Sequence, residues 1–384
     1  MQSVIDNVIE LGRKEIPGVV ALVTSPTDVL YEGAFGVRSC EDDALMTMDT
    51  IFALASMTKP LVSVAAMQLV ERGSLELDVP IATYLPQLAA PSVLEGFAAD
   101  GTPVVRAARG AVTARQLLSH SSGYGYSFWS EDLRRFQLQC GVGIVPANWD
   151  ELERSPLLFD PGTKWAYGIG TDVLGKVIES VSGQVLDEFL DNNVLGPMGM
   201  RDTGVSLSAE QRTRAVSLHI RGADDARVVV HEPIDGGRNF CMGGGALCGT
   251  GLDYVRFLQM ILRKGEVDGA RILGSDSVAA MATCQTGDLA VLPMRTAMPD
   301  ASNDVDLLPG TPLSWGLGFQ LNNDRTSTGR SPGSMAWAGL FNTYFWIDPS
   351  AQIAGVLLAQ VLPFADHRVL ELFGSFEHAA YATV

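Results

Sequence analysis

Phe52-Ala53-Leu54-Ala55-Ser56-Met57-Thr58-Lys59-Pro60 is the stretch on which the reading of this chain turns. A serine hydroxyl is a weak nucleophile until a neighbouring base removes its proton. A lysine serves as that base only where desolvation or nearby positive charge lowers its pKa. Spaced i, i+3 at the start of a helix, Ser56 and Lys59 share one face, and the positive end of the helix dipole favours an oxyanion forming there. The residues that follow support a helix over 57–72: Leu61, Val64, Ala65, Leu69 and Val70 recur at helical spacing, and Gly73 stands at the C′ position. Pro60 fits only if the helix begins near Ser56, because first-turn amides have no intrahelical partner. Ser-x-x-Lys on its own is also the pattern of a helix N-cap serine with a surface lysine, so its surroundings must decide.

Working outward, residues 18–37 read as two apolar runs about a turn at Ser25-Pro26-Thr27-Asp28, a hairpin signal, so the chain is expected to open on strands. Residues 75–239 mix helices expected at 171–182 and 185–192 with long loops punctuated by proline and glycine. Strand signals return at 316–321, 335–337, 343–347 and 353–359, and an apolar helix is expected over 366–382. Strands at both ends around a helical middle predict an α+β fold. One antiparallel sheet domain flanked by helices is built from residues 1–74 and 240–384, a mainly helical lobe spans 75–239, and the site lies between them. No internal repeat, heptad pattern or low-complexity linker interrupts this layout.

The 384 residues are ample for a two-lobed unit with a buried site, and 47% hydrophobic against 18% charged residues is the balance of a packed globular protein. A net charge of −17, from 27 basic and 44 acidic side chains, repels a phosphate backbone, so nucleic acid is not an expected partner. Lysine is scarce (Lys14, Lys59, Lys164, Lys176 and Lys264), which gives weight to Lys59. The five cysteines (Cys40, Cys140, Cys241, Cys248 and Cys284) are odd in number and widely spaced, a pattern of reduced thiols. The histidines are scattered and no His-Glu-x-x-His occurs, so no metal or other cofactor is expected. With no leader-like N-terminus and no apolar run of about 18 residues, the expectation is a soluble, cytoplasmic protein without membrane contact.

The context of Ser56 resembles the serine β-lactamase-like superfamily, that of class C β-lactamases and penicillin-binding proteins, and within it the family VIII carboxylesterases. The likeness runs in order through 52–60, Gly73-Ser74-Leu75-Glu76-Leu77-Asp78, Leu117-Leu118-Ser119-His120-Ser121-Ser122-Gly123, Pro161-Gly162-Thr163-Lys164-Trp165-Ala166-Tyr167, Gly243-Gly244-Gly245, Trp315-Gly316-Leu317-Gly318-Phe319 and Trp337-Ala338-Gly339. It spans nearly the whole chain. The resemblance implies a β-lactamase-like fold in which Ser56 attacks and Tyr167 shares a proton with Lys59. It also implies an oxyanion hole made by the N–H groups of Ser56 and Leu340. A phenol acts so only if cationic Lys59 stabilises the phenolate, the two titrating as a pair. Two departures are informative. Ile169 stands where the second motif has asparagine, and Trp337-Ala338-Gly339 replaces Lys-Thr-Gly. Both remove groups that would hold an anionic, acylamido-bearing lactam, while ester chemistry is untouched; Trp337 would pack on an apolar acyl or alcohol group.

Other residues carry weaker signals. Tyr124 and Tyr126, with Phe128 and Trp129, read either as a wall of the acyl pocket or as loop packing, and His120 as a loop tie or a direct participant. The three glycines at 243–245 lack the Gly-Lys-Ser/Thr ending of a phosphate loop and suit close backbone packing beside the site. Gly329-Arg330-Ser331-Pro332-Gly333 matches a nucleophile elbow, yet Pro332 lacks the N–H that the residue after such a serine donates. The sequence therefore points to a carboxylesterase acting on short-chain or accessible esters. Alternatives left open are an acyltransferase or an amide or β-lactam hydrolase with the same acyl-enzyme, and a non-catalytic binding protein of the same fold.

Overall fold

A helix, and not a strand, opens the chain: Gln2–Gly12 (α1) carries Ile5 and Ile9, four residues apart and both fully buried, the spacing that turns one helical stripe inward. The computed structural model describes residues 1–222, 227–232, 234–235 and 242–383; the domain boundary expected at 239/240 lies outside them. Gly18–Thr24 (β1) and Val29–Gly36 (β2) form the expected hairpin, closed where the Ser25 N–H donates to Asp28 O at 2.9 Å.

Ala55–Met57 is a single 3₁₀ turn that leads into Thr58–Glu71 (α2). Every residue from Thr58 to Leu69 is buried, Val62, Ala66 and Met67 as well as the expected stripe. A helix that is apolar all round belongs inside the protein. It ends as its sequence predicts. Gly73, at φ +68°, donates to Val70 O and Ser74 donates to Leu69 O, the paired 5→2 and 6→1 bonds of a Schellman cap.

Gly170–Ser182 (α3) and Gly251–Leu262 (α4) follow. The helix expected at 185–192 is Leu186–Leu190 continued by a π-helical turn over Asp191–Leu195. The middle of the chain is mainly helical but also holds a hairpin, Ser92–Phe97 with Pro103–Ala107, that the sequence reading did not foresee.

The last third supplies Leu313–Trp315 (β3), Gln320–Asn322 (β4), Met335–Gly339 (β5), Thr343–Asp348 (β6) and Ile353–Leu358 (β7), then His367–Thr383 (α5). Of the strand expected over 316–321, only residues 320–321 lie in β4, and 316–319 are corrected to a turn between β3 and β4. Gly316 N–H donates to Phe319 O at 2.8 Å, Gly318 sits at φ +101°, and a Cβ on Gly316 would lie 2.1 Å from Met281 O.

The seven strands form one antiparallel sheet in the order β3-β4-β5-β6-β7-β1-β2, built from both ends of the chain. Period-two alternation sorts its side chains into two cores. Val19, Ala21 and Val23 join Ile5, Ile9, Val369 and Phe376 on one face, beneath α1 and α5. Val20 and Leu22 join Leu61, Phe257 and Val173 on the other, in a core continuous with the helical part. Both faces are covered, which is why β1 reads as an unbroken apolar run. Among the described residues no helix is long and apolar enough to cross a membrane.

Candidate active site

Ser56 and Lys59 sit where the 3₁₀ turn becomes α2. The residue before the serine, Ala55, is held at φ +46°, a left-handed conformation costing an alanine on the order of 1–3 kcal/mol and found where a site over-determines the backbone. Gly339 closes this turn from the other side. A Cβ there would meet Leu54 O and Thr343 Oγ1, both at 2.3 Å, so only glycine lets β5 lie against the segment that carries Ser56.

Lys59 is 2% exposed. Its Nζ donates to Ser56 Oγ at 3.2 Å, to the Tyr126 hydroxyl oxygen at 3.1 Å and to Gly244 O at 2.7 Å. The Tyr126 hydroxyl in turn donates to Asp172 Oδ2 at 3.3 Å, and Asp172 Oδ1 accepts from Gly244 N–H at 2.7 Å. A Cβ on Gly244 would fall 2.5 Å from Asp172 Oδ2, and one on Gly243 2.4 Å from Thr171 O, so these glycines serve close packing beside the site. Burial raises the Asp172 carboxyl above its ordinary range, against the pull of Lys59. Burial, and after it the charge of Asp172, pushes the Tyr126 phenol well above 10.

Tyr167 packs beside Tyr126, ring centroids 5.5 Å apart, and Lys59 Nζ lies 4.8 Å from the Tyr167 ring centroid. Its hydroxyl accepts from Trp337 Nε1 at 2.9 Å. His120 packs on the Tyr167 ring, centroids 4.6 Å apart, and is held well below the usual imidazole range by burial and then by Lys59.

An apolar cavity opens beside these groups. Ser56, Tyr126, Tyr167, Trp337, Ala338 and Leu340 line it, and Phe128, Trp129, Phe341 and Phe364 make an aromatic wall. No lysine or arginine is among the described lining residues. The segment 283–312 is tied across this wall: Ala297 N–H donates to Phe128 O at 2.8 Å, and Trp129 Nε1 to Ser302 Oγ at 3.2 Å.

The structure thus brings Ser56, Lys59, Tyr126, Tyr167, Trp337, Ala338 and Leu340 together. His120, Tyr124, Ile169 and Gly339 are buried but do not line the cavity. Ile169 instead supplies the carbonyl that accepts from Asp172 and Val173 at the start of α3. Ser331 is outside it too, its N–H given to Asp348 Oδ2 at 2.8 Å. Two features escaped the sequence reading. Tyr126, read there as either pocket wall or loop packing, is the phenol hydrogen-bonded to Lys59. Asp172 gave no signal at all, because an acid in the first turn of a helix is commonplace. Among the described residues no group of three or more His, Cys, Asp or Glu side chains is arranged to hold a metal.

The beta-lactamase family model matches residues 4–375. The chain is 31% identical over 392 residues to monacolin J acid methylbutanoyltransferase of Aspergillus terreus, covering 96% of this chain and 92% of that protein. It is 29% identical over 395 residues to lovastatin esterase of Penicillium rubens, covering 99% and 98%. Among solved structures, unliganded simvastatin synthase of A. terreus superposes with a TM-score of 0.85 at 27% identity, over 99% of this chain and 98% of that one.

Proposed function

Because the chain belongs to the beta-lactamase family of serine hydrolases and acyltransferases, we propose that it is a carboxylesterase hydrolysing short-chain or accessible esters through a Ser56 acyl-enzyme. The observation that carries this reading is the chain of contacts from Ser56 Oγ to buried Lys59 and on to the Tyr126 hydroxyl, with the Tyr167 ring 4.8 Å from Lys59 Nζ, set at the edge of an apolar cavity. Neutral Lys59 takes the Ser56 proton as Oγ adds to the ester carbonyl carbon. The carbonyl electron pair moves to oxygen, where the N–H groups of Ser56 and Leu340 receive it. Collapse breaks the bond to the alcohol, which leaves with a proton returned through Lys59 and Tyr167. Water then loses a proton to the same groups, attacks the acyl carbon and restores the serine.

An ester is favoured over a lactam by what lines the cavity. By the resemblance Trp337 takes the motif position of a lactam-binding lysine, and no basic side chain is among the described lining residues. The free thiols of Cys40, Cys140 and Cys284 support a reducing, cytoplasmic setting.

Ser56→Ala is expected to abolish both covalent labelling by a fluorophosphonate and turnover of p-nitrophenyl acetate. Labelling retained at Ser331 would sink the reading. A second reading, transfer of the acyl group to an alcohol other than water, is supported by the relative named as a methylbutanoyltransferase. The product ratio in the presence of a competing alcohol separates the two, and fast turnover of nitrocefin would count against the argument from Trp337. The enzymatic relatives leave the binding-protein alternative without support.

A further inference from the structure

Lys59 makes three hydrogen bonds, to Ser56 Oγ, the Tyr126 oxygen and Gly244 O. An ammonium has three N–H donors and no lone pair. The arrangement is therefore saturated for the cation, which is the form that cannot take a proton from Ser56. One proton must first leave, and the three acceptors differ in what they can do with it. Ser56 is the group to be deprotonated, and a peptide carbonyl does not hold a proton. Only the Tyr126 oxygen leads onward, because its own hydroxyl donates to Asp172 Oδ2.

Resting on the reading of Ser56 as nucleophile and Lys59 as its base, we propose that Asp172 stores the proton Lys59 must shed, receiving it through the Tyr126 hydroxyl. The step balances. One Nζ–H bond breaks as its proton passes to the Tyr126 oxygen, and the Tyr126 O–H bond breaks as that proton passes to Asp172 Oδ2. Lys59 ends as a neutral amine, Tyr126 as a phenol again and Asp172 as a carboxylic acid. The lone pair freed on Nζ then accepts the Ser56 proton.

Three features support the transfer. Asp172 is 2% exposed and its second oxygen is fixed by Gly244 N–H, so Oδ2 stays aimed at Tyr126. Burial raises the Asp172 carboxyl above its ordinary range, which favours its protonated form. Tyr126 resists becoming a phenolate, so it passes a proton without keeping a charge. The titratable groups facing this chain are Lys59, Tyr126, Tyr167 and His120, and His120 stays neutral. Asp172 acts through Tyr126 and is a positioning residue, not one that touches substrate.

The test is the pH profile of kcat for p-nitrophenyl acetate in Asp172→Asn, which keeps shape but accepts no proton. Lys59 must then lose its proton to solvent. At pH 6 kcat should fall about 100-fold with KM changed less than about threefold, the size of a proton-transfer contribution. Log kcat should then climb about one unit per pH unit while the wild type stays flat. Tyr126→Phe cuts the same path and should show the same rising profile, and the double variant should lose no more than the worse single one. A uniform loss at every pH, as from a structural role, would overturn the proposal. So would an acid limb moved to lower pH, as from a simple counter-ion, or additive losses in the double variant. Fluorophosphonate labelling reports separately on the parent reading: wild-type label on a residue other than Ser56 removes that reading whatever Asp172 does. Melting curves for both variants show whether each is folded, and either folded variant suffices for the profile.

Discussion

His120 packs between the rings of Tyr167 and Trp315, 4.6 and 5.0 Å away by centroids, with Lys59 nearby. It is neutral in the folded protein because burial, and then Lys59, opposes its cation. An unfolded histidine titrates near its ordinary value, so as pH falls through about 6.5 the unfolded chain binds a proton that the folded chain refuses. Stability drops by about 1.4 kcal/mol for each pH unit below that point until the folded group itself titrates. Between pH 6.5 and 5 the wild type should therefore lose more unfolding free energy than His120→Phe, measured by urea unfolding of both at each pH. Equal losses would show that His120 is charged in the folded state. The same residue scale is where sequence reading was least complete. Ser56 and Lys59 were picked out by spacing together with the resemblance of their surroundings, and Tyr167 by resemblance. Tyr126 lies 67 positions from its lysine in a loop whose course no local pattern reports. Asp172 hides among ordinary helix-start acids.

At the scale of elements, the turn before α2 and the edge of β5 are matched by a glycine. Gly339→Ala would drive a Cβ into Leu54 O and Thr343 Oγ1. Backbone on one side cannot yield cheaply, so unfolding free energy should fall by about 2–3 kcal/mol, and kcat/KM should fall as Leu340 moves from Ser56. Gly73→Ala makes the control. Nothing lies within 4 Å of that Cβ, yet φ is +68°, so a loss of about 1–2 kcal/mol from conformation alone is expected, with kcat/KM unchanged. A larger loss at Gly73 than at Gly339 would contradict this account of the turn. Elements with strong local rules were legible: α2 with its glycine cap, the β1–β2 hairpin and α5 all follow their patterns. The first four residues of the strand expected at 316–321 form a turn instead because Gly316 is set by a close approach to Met281 O, a tertiary contact that alternation cannot reveal. The opening helix α1 was overlooked although Ile5 and Ile9 carry its period.

For the molecule as a whole, the sheet is assembled from both ends of the chain and shares its second core with the helical part, and the turn that carries Ser56 packs between β5 and α2. That layout was readable from strand signals at the two termini, whereas the crossing of 283–312 over the aromatic wall was not, since it is held by single bonds between distant residues. The net charge of −17 surrounds a cavity without a basic lining residue among those described. Esters carrying a carboxylate should be turned over more slowly than neutral ones of equal size. Added salt should narrow the gap, because screening at 1 M shortens the reach of charge to about 3 Å. A gap that does not respond to salt would place its cause inside the cavity.

The central claim is that acyl transfer runs through Ser56. Intact-protein mass spectrometry after brief exposure to a panel of activated esters, followed by peptide mapping, tests it most directly. The account predicts one acyl group per chain on the peptide containing Ser56 and none in Ser56→Ala; acylation of Ser331, or turnover by Ser56→Ala at the wild-type rate, would contradict it.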